Sequence, residues 1–247
     1  VVGETTGDDR FVFEQKDGVK PIDLGMADMF GNSPKTIMTD KTINTTYKDV
    51  ETDEAKIDEY IKDVLSLEAV ACKDWLTNKV DRSVTGKIAR QQCQGEIQLP
   101  LSDCGVVALD YKGKAGIATS IGHAPQVALI DSAKGSVMAI AEALTNISMA
   151  PLAKSLKSIS LSANWMWPCK NEGEDAALYR AVEACSEFAC KLGINIPTGK
   201  DSLSMTQKYG NDKVYSPGTV IISAAGEVSD IRKVVSPVLQ NKKSTLY

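Results

Sequence analysis

Glu142 and Asn146 stand four residues apart in the string Glu142-Ala143-Leu144-Thr145-Asn146. On a helix that spacing puts both on one face, within reach of each other. Glu offers a hard carboxylate and Asn a carbonyl oxygen. These donors suit Mg2+, which takes one or two carboxylates and completes its shell with water and phosphate oxygens. The text around them is rich in Ala and other small residues, so packing explains a polar pair there poorly. Spacing alone nevertheless favours a plain solvated polar face. Asp103 lies in Leu101-Ser102-Asp103-Cys104-Gly105, just before an apolar run. A carboxylate at a strand mouth suits a metal ligand, and it suits an Asx-turn better when judged by itself. Gly199-Lys200-Asp201-Ser202, within Thr198–Met205, can cradle an anion with backbone N–H groups and an ammonium. It reads equally as a tight loop with a salt bridge. Asp81-Arg82-Ser83-Val84-Thr85-Gly86 has the same two readings, the second being a turn held by an Asp–Arg pair. His123 is the only histidine and has no visible Cys or Ser partner, so it receives no role.

Elements must position these groups. Phe11-Val12-Phe13 is a β-rich triplet, and residues 15–49 read as a polar, irregular linker. Thr52 opens a helix with Asp53 and Glu54 in its first turn, where the helix dipole favours anions. Ile57, Tyr60, Ile61, Val64 and Leu65 then recur at helical spacing. A second short helix is expected through Val70, Ala71, Trp75 and Leu76. From Ile88 to Ile121 the text is strand-like. Cys104 to Leu109 is nearly continuous in apolar residues, as in a buried strand, Gly113 marks a turn, and Ala115 to Ile121 is the expected partner. Asp131-Ser132 begins the strongest helix. Residues 155–162 alternate as a half-buried strand does. A helix from about Glu174 to Leu192 is closed by Gly193, and a last strand spans Thr219 to Val228. Trp165-Met166-Trp167 reads as core or as an inter-domain contact. The mixture predicts an α+β chain. Neither G-x-G-x-x-G nor G-x-x-x-x-G-K-[ST] is present, so a nucleotide must bind in another way.

The 247 residues are 43% hydrophobic and 24% charged, with a net charge of −4. That is enough chain for a sizeable core, and it carries no basic field for nucleic acid or anionic lipid. No apolar run approaches the ~20 residues that span a bilayer, and the N-terminal text has no basic region followed by an apolar one. The chain starts without Met and stops on an unfinished pattern, so an internal piece of a longer polypeptide is expected. Six cysteines without C-x-x-C spacing predict free, buried thiols in a reducing cytoplasm rather than zinc ligands.

Five strings carry a resemblance. Asp81–Gly86, Leu99-Pro100-Leu101-Ser102-Asp103-Cys104, Ala141–Asn146, Ser162-Ala163-Asn164-Trp165-Met166 and Gly199–Met205 occur in that order. Over about residues 50–240 they resemble the second half of the large, single-chain phosphoribosylformylglycinamidine synthases. In that family the synthetase region is a tandem duplication. Each half has an N-terminal and a C-terminal domain like those of aminoimidazole ribonucleotide synthetase.

The resemblance implies four spans: residues 1–35 as the tail of the preceding C-terminal domain, 36–68 as a helical connector, 69–240 as the N-terminal domain of the second half, and 241–247 as the start of a linker. It implies an α+β fold whose mixed sheet, flanked by helices, pairs with its first-half equivalent in a central barrel. It implies a ligase that turns formylglycinamide ribonucleotide, glutamine and ATP into formylglycinamidine ribonucleotide, glutamate, ADP and phosphate. Its cofactors would be Mg2+ and ATP or ADP, with Asp103, Glu142 and Asn146 as metal ligands and Ser102 and Lys73 as nucleotide contacts, Ser102 through its backbone. The partners implied are the remaining domains of the same polypeptide: the first-half synthetase domains, the following C-terminal domain with a further Asp ligand, and a glutaminase domain with its Cys nucleophile. The second-half site resembles an auxiliary one holding ADP. The chain alone is expected to be inactive and to self-associate through open strand edges. A scaffold domain without ligand is the alternative.

Overall fold

The computed structural model describes residues 3–77, 82 and 86–245. The chain divides after Thr39 into two compact units. In the first, the aromatic triplet forms strand β1 (Arg10–Phe13), antiparallel to β2 (Ile22–Gly25), and helix α1 (Met26–Phe30) follows. The Arg10 guanidinium donates to the Asp23 carboxylate across the pair, at 2.8 Å from Nε. β2 and α1 fall in a stretch that reads as irregular. A paired strand opposite, rather than local propensity, makes Ile22–Gly25 extended.

The second unit begins at Asp40. Asp53 accepts from Ala55 N and caps a 3-10 turn, Glu54–Lys56, which runs into α2 (Ile57–Ser66). Helix α3 (Asp74–Thr77) is shorter than expected, because Val70 and Ala71 lie in turns before it. Then come β3 (Ile88–Arg90), β4 (Cys104–Ala108), β5 (Gly116–His123), α4 (Pro125–Ile130), α5 (Ser132–Ile147), β6 (Ile159–Met166), α6 (Glu174–Leu192), β7 (Asn195–Ser202), β8 (Thr206–Tyr209), β9 (Asp212–Tyr215) and β10 (Thr219–Val228). Six strands form one sheet in the order β3-β4-β5-β10-β6-β7, antiparallel throughout except for the parallel pair β6–β7, while β8 and β9 make a separate hairpin. The α+β expectation holds.

One face of the sheet is packed and the other is open. On β5, Gly116, Ala118, Ser120 and Gly122 are buried, while Ile117, Thr119, Ile121 and His123 are exposed. This is the period-two signature of a sheet covered on one side. The covering layer is α5 and α6, and Ile140, Ile147 and Ile222 in the shared core have no exposure. Burying each contributes about 1.5–3 kcal/mol. β4 follows the same rule: Cys104 and Val106 are buried, but Leu109 is exposed, so the run is buried on one face only.

Both long helices are stopped and started by identifiable residues. Asp131 accepts from Lys134 N at the start of α5. Gly193, at φ 68°, closes α6 in the left-handed region. The N-terminus of α6 is capped from far away, because the Asp40 carboxylate accepts from Gly173 N, Asp175 N and Ala176 N at 3.1–3.2 Å.

Two further expectations need correction. The alternating stretch 155–162 starts with a 3-10 turn, Ser155–Ser158, and its strand runs on from Ile159 to Met166. Lys200-Asp201-Ser202 is no loop. It lies in edge strand β7, in parallel register with β6 from Ser162↔Thr198 to Met166↔Ser202.

Candidate functional site

β4 and β5 run side by side until their register stops at Cys104↔Ser120. Asp103 sits where β4 begins, and β5 continues through Ile121, Gly122 and His123 with no β4 residue opposite. α5 crosses this end of β5 on the packed face. The Ser120 hydroxyl donates to the Ala143 carbonyl at 2.6 Å. A groove of about 780 Å³ opens there, lined by Ser102, Asp103, Glu142, Asn146, His123 and Thr119 among others.

Each donor in the groove has a definite state. Glu142 Oε2 accepts from the His123 backbone N–H at 2.6 Å, and the His123 imidazole Nδ1 lies 3.9 Å from the same oxygen. Asn146 Nδ2 donates to the Ile121 carbonyl at 3.0 Å, which turns its own carbonyl oxygen away from the strand. Asp103 has no hydrogen bond or ion pair among the described residues, so it forms no Asx-turn. Asp110 shows the contrast: it accepts from Lys112 N and Gly113 N in the turn marked by Gly113. Ser102 is half-buried, its hydroxyl donating to the Cys104 carbonyl and its N–H to the Gln92 carbonyl.

Asp103, Glu142, Asn146 and Ser102 therefore share one groove, and Lys73 does not line it. The Lys73 ammonium donates to the carbonyls of Glu68 and Ala71 on its own segment. From the Thr198–Met205 string only Thr198 lines the groove. The Lys200 ammonium donates to the Ser202 hydroxyl. Asp81 and Ser83–Thr85 lie outside the described residues, and Arg82 donates to the side-chain oxygens of Gln91 and Gln98. Ser160, Ser162 and Ser223 also line the groove from the open sheet face. The alternation of Ser with Ile and Leu along 158–162 was the available signal for two of them.

Two carboxylates and an amide carbonyl are a set of hard oxygen donors. Among the described residues no group of three or more His, Cys, Asp or Glu side chains is placed to hold a metal by itself. A cation here would be shared with water and with a ligand's own oxygens, which is how Mg2+ is usually held. Groove and fold together define an α+β domain with oxygen donors gathered at one end of its sheet.

The family model described as the FGAR-AT PurM_N-like domain matches residues 72–227, more than half of the chain. The chain belongs to that family, the synthetase-like N-terminal domains of phosphoribosylformylglycinamidine synthases. A probable phosphoribosylformylglycinamidine synthase of Caenorhabditis elegans is 40% identical over 97% of this chain. The phosphoribosylformylglycinamidine synthase of Homo sapiens is 46% identical over 72% of it. The chain spans only 18% and 13% of those two proteins. Among solved structures, Thermotoga maritima PurL complexed with ATP matches 94% of this chain and 33% of that one, with a TM-score of 0.51 and 16% identity, a likeness of fold.

Proposed function

We propose that this chain is a section of an ATP- and glutamine-dependent ligase that makes formylglycinamidine ribonucleotide from formylglycinamide ribonucleotide. Within it the chain supplies part of a magnesium–nucleotide site. The observation that carries this reading is the convergence of Asp103, Glu142 and Asn146 on one groove, with Asp103 making no hydrogen bond or ion pair among the described residues and the Asn146 amide nitrogen held by the Ile121 carbonyl. The donor set fits the metal. Bound there, magnesium would neutralise phosphate charge. Ser102 would meet the nucleotide through its main chain, whose N–H already donates to the Gln92 carbonyl, and Lys73 would have to leave the Glu68 and Ala71 carbonyls to reach it. The spans proposed are a preceding domain's tail to residue 35, a connector to 68, a synthetase-like N-terminal domain to 240 and a linker from 241. Other domains of the same polypeptide complete the site and supply the ammonia. The nucleotide held here is ADP in an auxiliary, stabilising role, and the chain alone makes no product.

Calorimetric and thermal-shift titration with Mg-ADP tests the site. Binding heat and a raised melting temperature are expected, and Asp103→Asn should abolish both while the fold persists, because Asp103 is exposed and unpaired. No heat and no shift would favour the second reading, a scaffold domain that binds nothing by itself. The open sheet face, with Ile117 and Ile121 exposed, is the observation behind that alternative.

A further inference from the structure

Beyond the start of β4, two main-chain groups of β5 lose their ladder neighbours, and side chains of α5 take them over. Glu142 receives the His123 N–H and Asn146 donates to the Ile121 carbonyl. Residues 121 and 123 are two apart on a strand, so their main-chain groups project to the same side. Glu142 and Asn146 are four apart on a helix and share a face. The two periods match only if α5 lies directly against the strand. Gly122, between the two anchor points, allows that approach. A Cβ there would collide with the Ala139 carbonyl and the Ala143 amide nitrogen in the α5 backbone, and it would sit 3.0 Å from Glu142 Cβ.

The geometry points to Gly122 as a positioning residue: its missing side chain lets the β5 terminus clamp Glu142 and Asn146 into one donor pair beside Asp103. This rests on the metal reading above. Helix-backbone contact at Gly122 sets the height of α5, the His123 N–H fixes one carboxylate oxygen, and the Ile121 carbonyl fixes the amide rotamer. The free carboxylate oxygen and the amide carbonyl then face the groove together.

The test is Mn2+ line broadening, with ADP present, of the Ile121–His123 amide resonances in the 247-residue chain, alongside hydrogen exchange of the His123 amide. In the unsubstituted chain the His123 amide is protected and Mn2+ broadens these signals. Gly122→Ala should speed exchange at His123 and raise the Mn2+ concentration for half-broadening about tenfold, as for loss of a group that orients a ligand. Gly135→Ala is the matched control. It is also obstructed, by Ala128 of α4 at 2.6 Å against 2.1 Å for the nearest contact at Gly122, and it lies at the other end of α5; it should stay within about twofold of the unsubstituted chain on the same readout. A folded Gly122→Ala chain that keeps both properties overturns the positioning role alone. Should Gly122→Ala not fold, His123→Pro decides: it removes the N–H that Glu142 accepts, and unchanged Mn2+ broadening of Ile121 overturns the role. No broadening in the unsubstituted chain overturns the metal reading, and this proposal with it.

Discussion

Asp103 and Asp110 carry the same side chain seven residues apart, and they do different things. Asp110 gives one oxygen, Oδ1, to two backbone N–H groups of a turn, while Asp103 lines a groove and has no hydrogen bond or ion pair among the described residues. Local text could not separate them, because both precede or follow a strand and both suit an Asx-turn. The resemblance to a family did. Glu142 and Asn146 were legible as a shared helix face, but their anchoring to Ile121 and His123 depends on a strand 19 or more residues earlier. The cysteines show a comparable split. No disulfide joins the six among the described residues, and Cys93, Cys104, Cys169 and Cys185 are buried as expected, but Cys72 and Cys190 are exposed. Burial pushes the Cys104 and Cys185 thiols up to about 11 and that of Cys169 to about 12. At pH 8 a thiol titrating near 11 is ionised to about one part in a thousand, and the thiolate is the nucleophile. An aromatic disulfide reagent should therefore modify two thiols in the native chain, Cys72 and Cys190, and six after denaturation. A native count above two would mean that at least one of the four buried thiols opens to solvent.

α6 is the element whose stability has a separable origin. Its own N-cap is Gly173, which offers no side chain, and the carboxylate that closes its first turn comes from Asp40. Backbone N–H groups, first that of Lys41 and then that of Gly173, hold the Asp40 carboxyl below the ordinary carboxylate range, against an opposing effect of desolvation. The sign follows from linkage. A carboxylate depressed in the folded state contributes stability above its unfolded value, near 3.9, and loses it as pH falls through the folded one. Amide protection at Gly173, Asp175 and Ala176 should thus hold at neutral pH and fall below about pH 4. In Asp40→Ala it should be lost at neutral pH too, with the middle of α6 unaffected. Equal exchange in the substituted and unsubstituted chains at pH 7 would show that Asp40 does not cap the helix. The end of α6 and the start of α5 were legible because Gly193 and Asp131 are local signals. The Asp40 cap was not, since 133 residues separate donor and acceptor. β7 was missed for the same reason. Gly199-Lys200-Asp201-Ser202 carries turn-like text, and only parallel pairing with β6 makes it a strand. β10 stands opposite: the apolar run between Pro217-Gly218 and Ser229 marks both of its ends in the sequence itself.

At the scale of the whole sheet, half of the surface that β5, β10 and β6 present is not packed. Ile117 and Ile121 are 43% and 57% exposed, and they stand among Thr119, Ser160, Ser162, Ser223 and Ala225 on the open face. Small and hydroxylated residues at alternate positions keep that face flat, and the two isoleucines give it apolar area. Such a face gains by being covered. Among the described residues the sheet also ends in two edge strands, β3 and β7. Pro197 interrupts the hydrogen-bonding pattern of β7 and discourages pairing there, so face-to-face association is favoured over edge pairing. The 247-residue chain in isolation should then sediment above its monomer mass of 26.5 kDa, in a concentration-dependent way. Ile117→Lys puts a charge on the open face near the start of β5, opposite Glu227 and outside the lining of the Asp103–Glu142 groove, and should return the chain to monomer without lowering its melting temperature, because residue 117 is not in the core. Pro197→Thr, which restores a donor to the β7 edge, should change the mass little if the face is the contact. A clean monomer at all concentrations would remove the case for a covering partner. A dimer insensitive to Ile117→Lys but strengthened by Pro197→Thr would move that case from the face to the edge.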